Sequence, residues 1–273
     1  MDTKVLLTFR VINESLFLKK NSSVLKYPLC YLLLFLCLLG CQTEPKLTIE
    51  DRFLTVPSCG DCAKISVQVP KVTDKLKLAK AVNTTIEEEL IYTLRFDEEE
   101  TITTAEQAAV SFNRSYKKMV KEFGAFEEPW KANIKGTVIF ENRELLTIAF
   151  VSETYTGGAH GYFSKAFLNF DKTSATELEY FELFDDLQGF ITLAEDNFRK
   201  TYDIPQKENI NATGFMFPND AFELPKSLGF TKMGIQLYYS PYEVASYADG
   251  ALTMTIPYPA ANSFLKEDYR ITN

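Results

Sequence analysis

The one histidine of the 273-residue chain stands in a stretch suited to exposed backbone, Tyr155-Thr156-Gly157-Gly158-Ala159-His160-Gly161. Three glycines in seven residues tolerate positive φ and let another segment approach closely. An imidazole there is a candidate acid–base or hydrogen-bonding group, and the loop N–H groups can face a ligand. The same composition also serves a tight inter-strand connection, with His160 bonded to nearby carbonyls. A later segment, YYSPYEVASYADG, brings Tyr238, Tyr239, Tyr242 and Tyr247 together with Glu243 and Asp249. Tyrosines among small residues make rigid amphipathic contact surfaces, and they also stack on sugar rings. They can equally cover the end of a sheet and bond their hydroxyls locally.

Much familiar chemistry is missing. The sequence has no G-x-S-x-G, H-E-x-x-H, P-loop or G-x-G-x-x-G,. A nucleophile–histidine apparatus has only His160 as its base, with Glu153 or Asp249 as the assisting carboxylate. Paired carboxylates of the glycosidase kind remain open, because such groups need be close only in space. Nothing in the sequence calls for a cofactor or a metal.

The elements that must position these residues follow from periodicity. Lys64–Val69 alternates like a half-buried strand. Asp74 can cap a helix to about Arg95, with Ala79, Val82, Ile86, Leu90 and Leu94 on one stripe. The acidic run Asp97–Glu100 then breaks the pattern. Thr103 and Glu106 have capping-box spacing, ahead of Ala105, Ala108, Ala109, Phe112, Tyr116, Met119, Val120 and Phe123 on one face, with Gly124 as the stop. Strands are predicted at Asn133–Phe140, Leu145–Tyr155 and Tyr162–Phe170. Asn142-Arg143 and the glycine-rich loop link them. A third helix opens at Asp185 or Asp186, with Leu187, Phe190, Ile191, Ala194 and Phe198 inward. Strands return at Ile235–Tyr239 and Leu252–Ile256, and Pro259 opens a short helix to about Leu265. The order implies an α+β fold: an antiparallel sheet with packed helices, in two closely associated halves.

The N-terminus reads as an address. Lys4, Arg10, Lys19, Lys20 and Lys26 precede the uncharged run YPLCYLLLFLCLL at 27–39. That run is short for a membrane span, which needs about 20 residues, and suits a signal-peptide core. Leu38-Leu39-Gly40-Cys41 resembles the lipobox of bacterial lipoproteins, in which the cysteine is acylated. The alternative is a plain anchor helix. The expected organisation is a lipoprotein signal peptide at 1–40, a tether at 41–62, an N-terminal half at 63–172 and a C-terminal half at 173–273. The site is then the cell envelope, lipid-anchored to a bacterial membrane, with the body in the periplasm or at the cell surface.

Beyond residue 40 the chain has 24 Lys/Arg against 35 Asp/Glu, a net −11. That argues against nucleic acid and against adsorption on anionic lipid. In an oxidising envelope Cys59 and Cys62 suit a local disulfide. A thioredoxin-like redox pair lacks its βαβ surroundings, and a zinc site lacks further ligands. Asn83, Asn113 and Asn211 each start an N-x-S/T triplet, which a bacterial address makes coincidental.

YTGGAHG, followed by PYEV, YADG and a strand ending Ile256-Pro257-Tyr258, resembles a two-part extracellular domain of unknown function. Its relatives form the outer part of lysozyme-sensing anti-sigma factors and the N-terminal part of peptidoglycan deacetylases. The resemblance spans roughly residues 63–270 and implies an α+β fold and an envelope location. Residues 1–26 are few for a sigma-binding domain, and the sequence stops at Asn273 without a catalytic domain. A binding or sensing module alone is therefore expected.

Its expected ligand is a cell-wall glycan or a basic wall-active enzyme such as lysozyme. The expected contacts are Tyr155, Gly157, Gly158, His160, Gly161, Tyr242, Glu243, Tyr247 and Asp249. An assembly lipoprotein and a wall hydrolase or esterase using His160 are the alternatives. Enzymatic activity is the less expected outcome.

Overall fold

The structure, a computed structural model, describes residues 47–54, 56, 59–96, 101–124 and 128–272. The segment expected to be a signal peptide, Cys41 and the acidic run at 97–100 lie outside the described residues. Among those described, no helix is long and apolar enough to cross a membrane.

Six strands form the larger sheet in the order β1-β2-β3-β4-β5-β6: β1 (Ile49–Phe53), β2 (Lys64–Val72), β3 (Lys131–Glu141), β4 (Leu145–Tyr155), β5 (Tyr162–Asp171) and β6 (Thr176–Leu178). All neighbours are antiparallel except β2 and β3. A parallel pair needs a long crossover. Helices α1 (Leu76–Leu94) and α2 (Ala105–Phe123) supply it. The expected meander is antiparallel from β3 to β5, and β2 joins it through the one parallel pair of the sheet. The expected stripe on α1 is buried throughout, from Ala79 and Val82 to Leu94. On α2 the stripe is buried from Ala105 to Tyr116 and then surfaces, leaving Phe123 exposed.

Two caps differ from the sequence reading. Thr104, not Thr103, caps α2, its hydroxyl accepting from the Gln107 N–H at 3.2 Å. Glu106 instead meets Arg52 at 3.1 Å. Asp74 accepts the Thr48 N–H at 3.0 Å, and Lys75 stands at the α1 start without a side-chain bond.

Residues 49–53, placed in the tether by the sequence reading, form β1. Its sequence IEDRF shows one weak alternation and three charges, so hydrophobicity does not announce it. The edge strand is held by pairing with β2 and by Arg52, which reaches Glu87 at 2.5 Å as well as Glu106.

The second half is built on α3 (Leu187–Thr201) and the smaller sheet β7-β8-β9, comprising Ser227–Phe230, Ile235–Tyr239 and Leu252–Ile256. Asp186 caps α3, accepting from the Gly189 N–H at 2.8 Å. The last helix, α4, is shorter than expected, Tyr258–Ala261. The result is a mixed α+β fold in two distinct, contacting halves.

The contact between halves explains the burial along β4. Residues 145–150 are buried in sequence, as for a strand covered on both faces,. Ile148 and Phe150 face the helices, while Leu145 joins the second core and Ala149 packs with Phe167 and Tyr238. Polar ties cross the seam: Asn169 Nδ2 donates to the Leu228 carbonyl at 2.9 Å, and Lys165 Nζ to Gln236 at 2.8 Å. From Val151 onward the outer face of β4 is open, with Glu153 exposed. The glycine-rich loop begins where that cover ends.

Candidate functional site

The loop between β4 and β5 turns through Gly157 and Gly158 at φ 95° and 92°, a region where side chains are strained,. Gly161 fits for a different reason. A Cβ there would lie 2.8 Å from the Thr154 carbonyl oxygen, so the returning chain passes too close for any side chain. Tyr155 OH donates to the Gly158 carbonyl at 3.2 Å and closes the loop on itself.

The loop between β8 and β9 reaches the same place. The Tyr247 ring stacks on His160, with centroids 3.9 Å apart and planes 19° apart. Tyr247 OH donates to the Gly161 carbonyl at 3.0 Å, across 86 residues of sequence. Tyr242 lies 5.4 Å from Tyr247 and is 59% exposed. His160 Nδ1 is 2.9 Å from the Gly161 oxygen. A carbonyl only accepts, so this contact requires a proton on Nδ1. His160, Tyr247 and Tyr242 form a three-ring platform of residues from both halves.

Tyr242 carries the oddest backbone of the platform. Its φ is 68°, uncommon for a bulky side chain,. Glu243 holds it there. One carboxylate oxygen accepts the Lys226 N–H at 2.9 Å, the other the Ser240 N–H at 2.8 Å, and Glu243 N–H donates to the Ser240 carbonyl at 3.0 Å. Glu243, expected among the ligand contacts, is thus committed to the loop. Asp249 is likewise occupied, accepting the Ser246 N–H at 3.1 Å and hydroxyl at 2.7 Å as a capping box. Neither assignment followed from composition. The φ of Tyr242 left no signal in the sequence.

For acid–base chemistry the arrangement is sparse. Among the described residues, His160 forms no hydrogen bond or ion pair with a carboxylate. Glu153, the other assistant weighed, lines a neighbouring cavity with Glu128 and Lys131, which form an ion pair. Cys59, Asp61 and Cys62 place their ligand atoms within 4.8 Å of one another, but the two sulfurs are joined in a disulfide with Cα atoms 5.1 Å apart. That leaves no thiolate to ligate a metal. Among the described residues, the three asparagines that begin N-x-S/T triplets use their amides internally. Asn83 bonds the Val72 backbone, Asn113 the Ala63 N–H, and Asn211 the Phe217 backbone.

Two family models match the chain in tandem. The first, described as deacetylase PdaC, covers residues 58–162, and the second, a protein of unknown function (DUF3298), covers residues 182–259. His160 falls in the first segment and Tyr247 in the second, so the platform is shared between them. A crystal structure of a DUF3298 family protein from Pseudomonas aeruginosa PAO1 superposes with a TM-score of 0.59 at 20% identity, covering 84% of this chain and 99% of that one. A DUF3298 family member from Bacteroides fragilis NCTC 9343 gives 0.61 at 17% identity, covering 81% and 94%. At such identities the likeness concerns the fold. No curated protein matches the sequence.

Proposed function

We propose that this chain, with its PdaC-type and DUF3298 segments in tandem, is a cell-envelope recognition module that binds a basic wall-active enzyme of the lysozyme kind. The observation that carries the reading is the His160–Tyr247 stack. Two loops far apart in sequence spend a ring stack, a hydroxyl bond and a strained Tyr242 on one exposed surface. Backbone strain persists only where its surroundings over-determine it, and it clusters at functional positions. Rigid tyrosines are efficient contact residues because they bury much area for few rotatable bonds. The net −11 beyond residue 40 favours a basic partner, since opposite charge speeds encounter,. An envelope address with a lipid at Cys41 belongs to the same reading and would hold the module at the bilayer through acyl burial.

Calorimetric titration with a lysozyme at moderate salt tests it. Binding should weaken about tenfold or more in His160→Ala, the cost of truncating an anchor residue. Raising ionic strength should slow association. No heat from the folded wild-type chain would remove the enzyme partner. A salt-independent association rate would remove the electrostatic part.

A further inference from the structure

A cleft on the opposite side of the large sheet has no part in the platform. It lies between the C-terminal turns of α1 and the ends of β4 and β5, with a volume of about 330 Å³. That is at the lower end for small-molecule sites, roughly 300–1,000 Å³. Its rim carries Tyr92, Phe96 and Tyr162, which are 79%, 48% and 48% exposed. Isolated exposed aromatics are ordinary, but three around one concavity are not. Its wall is polar. Ser152 and Ser164 bond one another at 2.9 Å, and Thr154, Glu89 and Arg95 also line it.

We infer that this cleft is a carbohydrate-binding subsite for a pyranose ring. Aromatic faces suit the C–H face of a sugar, and closely spaced hydroxyl, carboxyl and guanidinium groups suit its equatorial hydroxyls. The acidic neighbourhood disfavours phosphate-bearing ligands. Burial, with the charges of Glu177 and Glu88, raises the Glu89 pKa. The carboxyl therefore keeps its proton, and with it a donor, to higher pH than an ordinary glutamate. Thr154 lines both this cleft and a smaller cavity beside Tyr155 and Gly161, and none of the three platform rings lines either. The inference borrows from the platform reading only the envelope address, which selects the probe.

The chain has its own reporter. Trp130 is the sole tryptophan, fully buried, with its ring 4.5 Å from that of Phe96. The test titrates the full chain with the tetramer of N-acetylglucosamine, following Trp130 fluorescence and heat together. A saturable change is expected, weakened tenfold or more in Tyr92→Ala and in Tyr162→Ala, both exposed enough to leave folding intact by circular dichroism. His160→Ala should bind the tetramer as wild type does. Absence of both signals from folded protein at millimolar tetramer would overturn the inference. So would binding that survives Tyr92→Ala with Tyr162→Ala and is lost in His160→Ala, which would move the sugar to the platform. Sugar binding without lysozyme binding would leave the cleft standing and the proposed enzyme partner refuted.

Discussion

Tyr242 and Glu243 stand side by side and have opposite roles. Tyr242 presents a ring from a left-handed backbone, while Glu243 spends its carboxylate on two backbone N–H groups to keep it there. Replacing Tyr242 with glycine should relieve strain and raise stability by about 1 kcal/mol while weakening partner binding. Thermal melts beside a titration would show the two effects with opposite sign. Glu243→Ala should cost about 1–2 kcal/mol, because two charge-assisted bonds disappear and their donors lose their acceptor. A melt unchanged from wild type would mean the carboxylate is not the brace described here. Both residues stood out in the sequence as members of a tyrosine-rich, acidic loop. Their division of labour did not, because it depends on the φ of one residue and on Lys226, which is distant in sequence.

The long helices and the strands from β3 to β5 were legible because their apolar residues recur at 3.6 or alternate at 2. β1 was not, because its stability comes from pairing with β2 and from ion pairs to two helices. A chain trimmed to start at residue 63 should therefore unfold several degrees below one starting at residue 46. It would lose Leu47 and Leu54 from the core and leave Glu87 without Arg52,. Arg52→Ala alone should cost about 1 kcal/mol. Equal melting temperatures for the two lengths would show that β1 adds nothing.

The α1–β6 contact offers a pH test. Glu89 and Glu177 both have pKa values raised above 4.5, chiefly by burial. The folded state then binds protons more tightly than the unfolded one. This contribution is fully present when both forms are protonated, and it declines as pH rises from about 4.5 through the raised values. Glu89→Gln should accordingly stabilise the chain at neutral pH, by on the order of 0.5 kcal/mol for a carboxyl still partly in water. The gain should vanish near pH 4. A gain that is constant with pH would contradict the account.

At the scale of the whole molecule, the second half covers one face of the large sheet along β4 as far as Ala149. It then leaves the end of β4 open, and there sends the β8–β9 loop to meet the glycine-rich loop. Sequence periodicity cannot show that meeting, because it concerns loops. The sequence did suggest that both loops matter, through their unusual composition and through their resemblance, taken together, to a two-part domain. The structure adds that they are one surface, held across the halves by His160, Gly161 and Tyr247. Asn169, Lys165 and Ser227 fix the seam behind it, so the platform rests on a hydrogen-bonded junction. The most direct test is a double-mutant cycle for lysozyme affinity, using His160→Ala, Tyr247→Ala and the pair. If the loops act as one surface, each single change should weaken binding about tenfold or more, and the double should be much less than the product of the two. Single variants that bind as wild type does, or losses that simply multiply, would contradict a shared platform.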